Sequence, residues 1–354
     1  MLVGLTGCAG GAAQDFKVGL VTSTVSQSED EYRAAEQMKE KYKDRIIHVT
    51  YPDNFMQEQE TTISQITGLA SDPKVKAIVV CQAVPGTAAA FDKIKQQRKD
   101  IVCLAAVPHE DPKIIAAKAD LAFERDELNR GVTIVKLAKK LGAKKFLHYS
   151  FPRHMSMELL AQRRDIMKKT CEEEGLEFVF VTAPDPMGPD GIPGAQKFIL
   201  ENVPLQVQTH GKDICVFSTN CGMQEPLIKS ALNSGAIFAE QCCPSPTHGY
   251  PGALGIDAKG MDMKALLAAI EQKIVEKGGA GRFATWPVPT NIVFIKAATE
   301  LAFQAAAGKI KLSDLNAVKA ALEKEAGANM QLKKYEENSN FYLTICDSYI
   351  FGKK

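Results

Sequence analysis

Short apolar runs recur along the chain, each breaking into a polar turn and then a stripe with helical spacing. The first half carries such runs at Val18–Thr22, Ile46–Tyr51, Ala77–Cys81, Ile101–Ala105 and Leu121–Phe123. Between them Ile63, Ile66, Leu69 and Ala70 form one helical stripe, and Ala88, Phe91 and Ile94 another. The runs are almost continuously apolar rather than alternating, as expected of strands whose two sheet faces are both covered by helices. Alternation of strand and helix predicts right-handed βαβ crossovers and a parallel sheet.

The pattern then restarts. A helix with Leu128, Val132, Val135 and Ala138 inward leads to a strand at Phe146–Ser150, a helix over Met155–Glu174 and a strand at Phe178–Thr182. The stretch from Pro184 to Gly194 holds four prolines and three glycines, which predicts a structured loop rather than helix or strand. Helix Ala195–Val203, strand Ile214–Ser218, helix Gln224–Leu232 and strand Ala236–Gln241 complete a second sheet. Beyond lie a turn-rich run, helix Met263–Ile274, a short strand at Arg282–Trp286, helices Asn291–Ala306 and Leu312–Glu325, and a last apolar strand, Phe341–Phe351. These trailing elements exceed what the second sheet needs. The economical solution sends the chain back to the first unit and ends it in the second.

The stretch Phe16–Met38 organises this picture. Strand Val18–Val21 delivers a loop of hydroxyls and amides, Thr22 to Ser28, to a helix that opens on Glu29, Asp30 and Glu31. In open parallel sheets, loops at the carboxyl ends of strands line the ligand crevice.

At 354 residues the chain is long for one core and fits two domains. A formal net charge of +1 gives no reason to expect nucleic acid or a basic membrane-binding face. No apolar run approaches the roughly 20 residues needed to cross a bilayer.

The start, Met1 to Gly11, is a short apolar stretch ending in Leu5-Thr6-Gly7-Cys8. It resembles a bacterial lipobox, which implies lipidation of Cys8 and a flexible tether up to residue 15. A chance cysteine is the plain alternative, and a positive leader segment is missing from the stretch. Of the nine cysteines, Cys81, Cys103, Cys215 and Cys346 lie in or at the ends of apolar strands, where free cysteine behaves as a small hydrophobe. No CxxC pair occurs, so zinc is not expected, nor any other metal or cofactor.

The order of elements resembles the type I periplasmic solute-binding proteins of ABC transporters and the ligand cores of related repressors. VGLVTSTVSQSEDEYRAAEQM, VKAIVVCQA, LAFERDELNRGVTIVKLAKKLGAKKFLHYS, ICVFSTNCGMQEPLIKSAL and GRFATWPVPTNIVFIKAATELA carry the likeness. Within that family it is most similar to uncharacterised bacterial lipoproteins near the nucleoside-binding basic membrane proteins. The resemblance implies an α/β fold of two Rossmann-like lobes, parallel sheets flanked by helices, joined by a three-crossing hinge with ligand between them. Expected crossings lie near Glu124–Asp126, near Trp286–Pro289 and between Gln331 and Tyr342. Residues 16–124 with 288–331 then make the first lobe, and 125–287 with 332–354 the second.

Candidate ligand contacts follow from the strand ends, each with a plainer alternative. Ser23, Thr24 and Gln27 offer hydroxyl and amide groups, although one neighbour, such as Ser28, is needed to cap the helix. Gln82 and His109 follow strands of the first lobe and are equally readable as solvated loop residues. Arg125 is a ligand contact or a salt-bridged hinge residue. Tyr149 and Arg153 follow the first strand of the second lobe, where Arg153 at a helix N-terminus would favour an anionic or hydroxyl-rich solute. Asn220 is a ligand contact or a turn former. Glu240 reads sugar hydroxyls or forms an internal ion pair, and Trp286, the only tryptophan, stacks on a ligand or packs the hinge.

No GxxxxGK[ST], GxSxG, HExxH or helix-opening GxGxxG is present, and the six histidines do not cluster in sequence. Binding is therefore expected rather than turnover. The expected protein is extracytoplasmic and lipid-anchored, captures a nucleoside, sugar or amino-acid-like solute, and hands it to an ABC permease. A sensory receptor core of the same fold is the alternative.

Overall fold

The computed structural model describes residues 15–337 and 339–353; the lipobox and Cys8 lie outside the described residues. The first half runs β1 (Lys17–Thr22), α1 (Glu29–Tyr42), β2 (Ile46–Thr50), α2 (Gln59–Leu69), β3 (Val75–Cys81), α3 (Thr87–Gln97), β4 (Val102–Ala106), α4 (Pro112–Ala116) and β5 (Leu121–Arg125). The chain then crosses into α5 (Glu127–Lys140), β6 (Lys145–Ser150), α6 (Pro152–Met155), α7 (Glu158–Glu174), β7 (Glu177–Thr182), α8 (Gly191–His210), β8 (Ile214–Ser218) and α9 (Gln224–Ser234). It continues through α10 (Tyr250–Leu254), α11 (Met263–Glu276), β9 (Ala284–Thr285), α12 (Thr290–Ala306), α13 (Leu315–Ala326), β10 (Gln331–Lys334), β11 (Phe341–Ile345) and β12 (Tyr349–Ile350).

Seven strands form the first sheet in the order β10-β11-β5-β4-β3-β1-β2. All neighbours are parallel except the β10–β11 edge pair. One face packs on α1, α12 and α13 through residues such as Met38, Phe294, Leu301 and Leu322. The other packs on α2 and α3 through Ile66, Phe91 and Ile94. Burial on both faces is why these strands carry no polar alternation. In the second lobe β7-β6-β8 form a parallel sheet, extended by single parallel bridges from Cys215 to Ile237 and from Phe238 to Phe283. Helices α8 to α11 cover one side of it and α5 with α7 the other.

Local chemistry sets several element ends. Asp126 caps α5 by accepting from the Asn129 amide at 3.0 Å, and Lys139 and Lys140 close its last turn, both favourable to the helix dipole. Ser28 occupies the N-cap of α1 without a side-chain bond, contrary to the capping expected there. The acidic first turn of Glu29, Asp30 and Glu31 supplies the dipole complement instead.

Two expectations change. Helix α8 begins at Gly191, inside the proline-rich stretch, because Pro193 falls in the first turn where a missing amide costs nothing. The apolar run Phe341–Phe351 is not one strand of the second lobe. Phe341–Thr344 pair with Ala122–Arg125 in the first sheet, and only Tyr349 and Ile350 return to pair with Thr285 and Ala284. The third crossing therefore lies between Ile345 and Tyr349, where Asp347 and Ser348 break the hydrophobic run. Among the described residues no helix is long and apolar enough to cross a membrane.

Candidate functional site

A cavity of about 460 Å³ opens between the carboxyl ends of the two sheets, within the range typical of small-molecule sites. Gln82, Val107, His109 and Arg125 wall it from the first lobe; Arg153, Asn220, Cys221 and Cys243 face them from the second. Helix α7 adds Met157, Leu160 and Arg163, and the proline-rich stretch adds Pro186, Met187 and Ile192. That stretch is held down by Arg153, which donates to Asp185 from Nε at 2.9 Å and Nη2 at 2.8 Å. The paired bonds fix the loop as a wall of the cavity.

The rim of the first lobe is built at the ends of β3 and β4. Gln82 and Val107 have φ of 52° and 53°, a left-handed backbone that a β-branched valine adopts only at a cost of about 1–2 kcal/mol. Strain of this kind collects where a binding surface needs a particular chain direction. Gln82 donates to Glu31 at 2.5 Å, Asn291 donates to the same oxygen at 2.7 Å, and Ser23 donates to the other at 3.1 Å. Burial raises the Glu31 pKa to about 7, against the opposing pull of the Gln82 and Ser23 bonds.

Beneath the cavity three arginines converge on one carboxylate. Arg125 reaches Glu127 at 3.1 Å, Arg130 at 2.8 Å, and Arg163 completes the set. Burial alone would raise Glu127, but Arg130, Arg163 and Arg125 outweigh it and hold the carboxyl below its ordinary range. The convergence depends on close approach of α5 and α7. A Cβ on Gly131 would lie 2.7 Å from Ile166 Cγ2 and 3.1 Å from the Arg163 carbonyl oxygen, so only glycine permits it. Arg163 is 1% exposed, yet its Nε and Nη2 have no hydrogen-bond partner among the described residues. A buried guanidinium on a cavity wall with unused donors calls for an acceptor oxygen.

The expected contacts divide. Gln27, Gln82, His109, Arg125, Arg153 and Asn220 come together on the cavity wall. Burial pulls the His109 pKa down to about 4, so its imidazole is neutral. Arg125 is also saturated by Glu124, Glu127 and Asn291, and the Asn220 oxygen accepts from the Gly222 amide at 2.9 Å; the structural alternatives hold beside the lining role. Five expected contacts lie elsewhere. Ser23 is buried against Glu31, and Thr24 bonds Ser26 at 2.7 Å and also Asp53. Tyr149 is in the second-lobe core with its hydroxyl donating to Asn202 at 3.0 Å. Glu240 is buried and paired with Arg130 at 2.8 Å. Trp286 is 1% exposed and packs into the first-lobe core, with Arg130 5.7 Å from its ring centre. Ser23, Tyr149, Glu240 and Trp286 are buried against internal partners, whereas Thr24 stays partly exposed in its loop.

Sequence reasoning missed Arg163 because it sits mid-helix among other charges, with no turn signal. His154, which follows the same strand as Arg153, is buried with Nδ1 3.0 Å from Thr219 Oγ1. Sequence reasoning also missed a cluster. The absence of CxxC argued against zinc, but folding brings Cys221, Cys242, Cys243 and His248 together, with one ligand atom of each within 4.8 Å of the others. The adjacent Cys242-Cys243 pair was the available signal.

A family profile described as a protein of unknown function, DUF3798, matches residues 16–284. Two relatives from Treponema pallidum (strain Nichols) are both described as uncharacterised. One is 39% identical over 184 residues, spanning 50% of this chain and 83% of the relative. The other is 33% identical over 216 residues, spanning 60% and 97%. A crystal structure from Clostridium difficile 630, provisionally described as a transcriptional regulator, is 28% identical with a TM-score of 0.80, covering 96% of this chain and 99% of its own. A sugar ABC transport substrate-binding protein from Bordetella parapertussis 12822 is 12% identical with a TM-score of 0.62, covering 97% and 91%. A periplasmic solute-binding protein from Actinobacillus succinogenes 130z, with bound D-allose, is 14% identical with a TM-score of 0.56, covering 83% and 93%. The fold is thus that of periplasmic solute-binding proteins.

Proposed function

We propose, from the premise that this chain belongs to the DUF3798 family, that it captures a small polar solute between its two lobes. The observation that carries this reading is the cavity of about 460 Å³ walled by both lobes, with Arg163 in its lining and two of that side chain's buried donors unpartnered among the described residues. Arg163 anchors an acceptor oxygen of the solute. The neutral His109 and the amide of Asn220 offer further hydrogen bonds, and Leu160, Met157 and Met187 cover an apolar face. A ring bearing hydroxyl or carboxylate oxygens, such as a sugar, nucleoside or cyclic acid, meets those demands.

Lipidation at Cys8, an extracytoplasmic location and delivery to an ABC permease complete the proposal. The D-allose-bound neighbour supports solute binding by this fold, while nearness to the nucleoside-binding group rests on sequence likeness alone. Native mass spectrometry of protein purified without added ligand, followed by thermal-shift screening with sugars, nucleosides and amino acids, tests the clamp. A non-covalent mass lost on denaturation, or a saturable stabilisation, supports it; neither result in any class defeats it. Cys8→Ser should release the protein from membranes.

A second reading is a ligand-sensing core, favoured by the Clostridium difficile structure, which is matched over nearly its whole length. Co-purification separates the two readings. A permease recovered with the full chain supports transport, and a DNA or kinase partner supports sensing.

A further inference from the structure

Cys221 follows β8 at the start of a short turn, Cys242 and Cys243 follow the bridge-forming segment after α9, and His248 closes the same loop. The Cys221 sulfur lies 3.4 Å from that of Cys242 and 3.5 Å from that of Cys243. Thiols are weak hydrogen-bond donors, so three of them in contact at the floor of a cleft gain little from one another. Three soft sulfurs and one imidazole are, however, the donor set of a tetrahedral thiolate site.

From this geometry we propose that Cys221, Cys242, Cys243 and His248 bind a zinc-type metal ion, one per chain. Sulfurs bound tetrahedrally at ~2.3 Å from zinc stand roughly 3.8 Å apart. The observed separations therefore need to open by only about 0.3–0.4 Å to admit the ion.

The loop that carries three of the four ligands is clamped from outside, as a site needs. Arg130 donates to the carbonyl oxygens of Gln241 at 2.8 Å and Cys242 at 3.1 Å. Gln241 donates to those of Ser245 at 2.7 Å and His248 at 3.1 Å. His248 Nδ1 lies 2.9 Å from the Cys243 carbonyl oxygen, a contact that holds the ring beside the sulfurs. Three thiolates around a divalent ion carry a net negative charge, and the Arg130 guanidinium stands beside them. Cys221 and Cys243 belong to both the large cavity and a smaller cleft of about 250 Å³ that also holds His248 and Asp30. The metal would therefore sit where the lobes meet, independently of which solute the cavity takes.

The test uses the full chain, made without a histidine tag and kept reduced and anaerobic. Cobalt(II) titration should give a thiolate-to-cobalt charge-transfer band saturating at one ion per chain. Zinc should displace the cobalt and raise the unfolding temperature. Cys243→Ser should abolish the band, His248→Gln should weaken cobalt binding by about tenfold or more, and Cys103→Ser, remote in the first lobe, should change neither. Absence of the band in wild-type protein whose thiols all titrate as free would overturn the site. So would peptide mapping that finds Cys221 disulfide-bonded to Cys242 or Cys243 under these conditions. Both readouts are separate from solute binding, so loss of one leaves the other standing.

Discussion

Arg130 donates from Nε to Glu240 at 2.8 Å, joining the first helix after the hinge to the segment that carries the paired cysteines. The same guanidinium contacts Glu127 and two backbone carbonyls, and its side chain is wholly buried. Arg130→Met should destabilise the fold by about 3–5 kcal/mol, because Glu127 and Glu240 lose a shared buried cation. Arg130→Lys should rescue little of this, since a point ammonium cannot reach four acceptors held in a fork. Urea denaturation of both variants measures the difference, and a wild-type midpoint for Arg130→Met would remove the clamp from the account.

Arg163 gives a prediction about binding as well as folding, because it also pairs with the buried Glu127. Replacing it by methionine keeps most of its buried volume and removes two donors that have no partner. Solute affinity should fall by about 1.5–3 kcal/mol, roughly tenfold to a hundredfold in Kd. Calorimetry with whichever solute the screen identifies reads this directly. Unchanged affinity would move the anchor elsewhere on the wall.

Gly131 sets the spacing of the two helices beneath that anchor. Gly131→Ala should push Ile166 and the Arg163 backbone away, costing about 1–3 kcal/mol of stability as an overpacked core does. It should also weaken the same solute through Arg163. Stability and affinity measured on one protein sample should therefore drop together.

His148 predicts a pH dependence. It lies in the central strand of the second sheet, its ring 5.6 Å from that of Phe180 and 5.7 Å from that of Phe217, with neither nitrogen partnered among the described residues. Burial pulls its pKa down to about 3, whereas the unfolded chain protonates near 6.5. The neutral ring is therefore fully favourable above about pH 6.5, and stability falls by roughly 1.4 kcal/mol per pH unit below that, down to the folded value. His148→Phe should flatten this acid limb in denaturation curves taken between neutral and mildly acidic pH. An unchanged slope would assign it to other groups.

The two-lobed α/β plan was legible because near-continuous apolar runs such as Val18–Thr22 and Ala77–Cys81 mark buried parallel strands, and their restart after Leu128 marks a second sheet. Gln27, Gln82, His109, Arg125, Arg153 and Asn220, picked from strand ends and from the family resemblance, lie on the cavity wall. What strand position cannot tell is which way a side chain turns. Tyr149, Glu240 and Trp286 sit at the expected ends but satisfy themselves inside the protein. Arg163 and the cysteine cluster were hidden for a different reason, since their proximity is made by helix packing and loop closure between residues far apart in sequence. The split of the Phe341–Phe351 run shows the same limit, because two polar residues were enough to send its halves to different lobes.

That split has a consequence for how the protein is made. Until Phe341–Thr344 arrive, β5 is a bare edge of the first sheet, and until Tyr349 and Ile350 follow, β9 has no antiparallel partner. Neither lobe can finish while a ribosome still holds the residues after 340. The incomplete chain presents an unpaired parallel edge, a hazard for association with other chains. A chaperone or export factor that shields nascent chains would find its longest-lived target at Leu121–Arg125. Chains cut before Phe341 should accumulate as aggregates, whereas a cut at the exposed Pro189 or Asp190 of a finished molecule should leave both sheets intact.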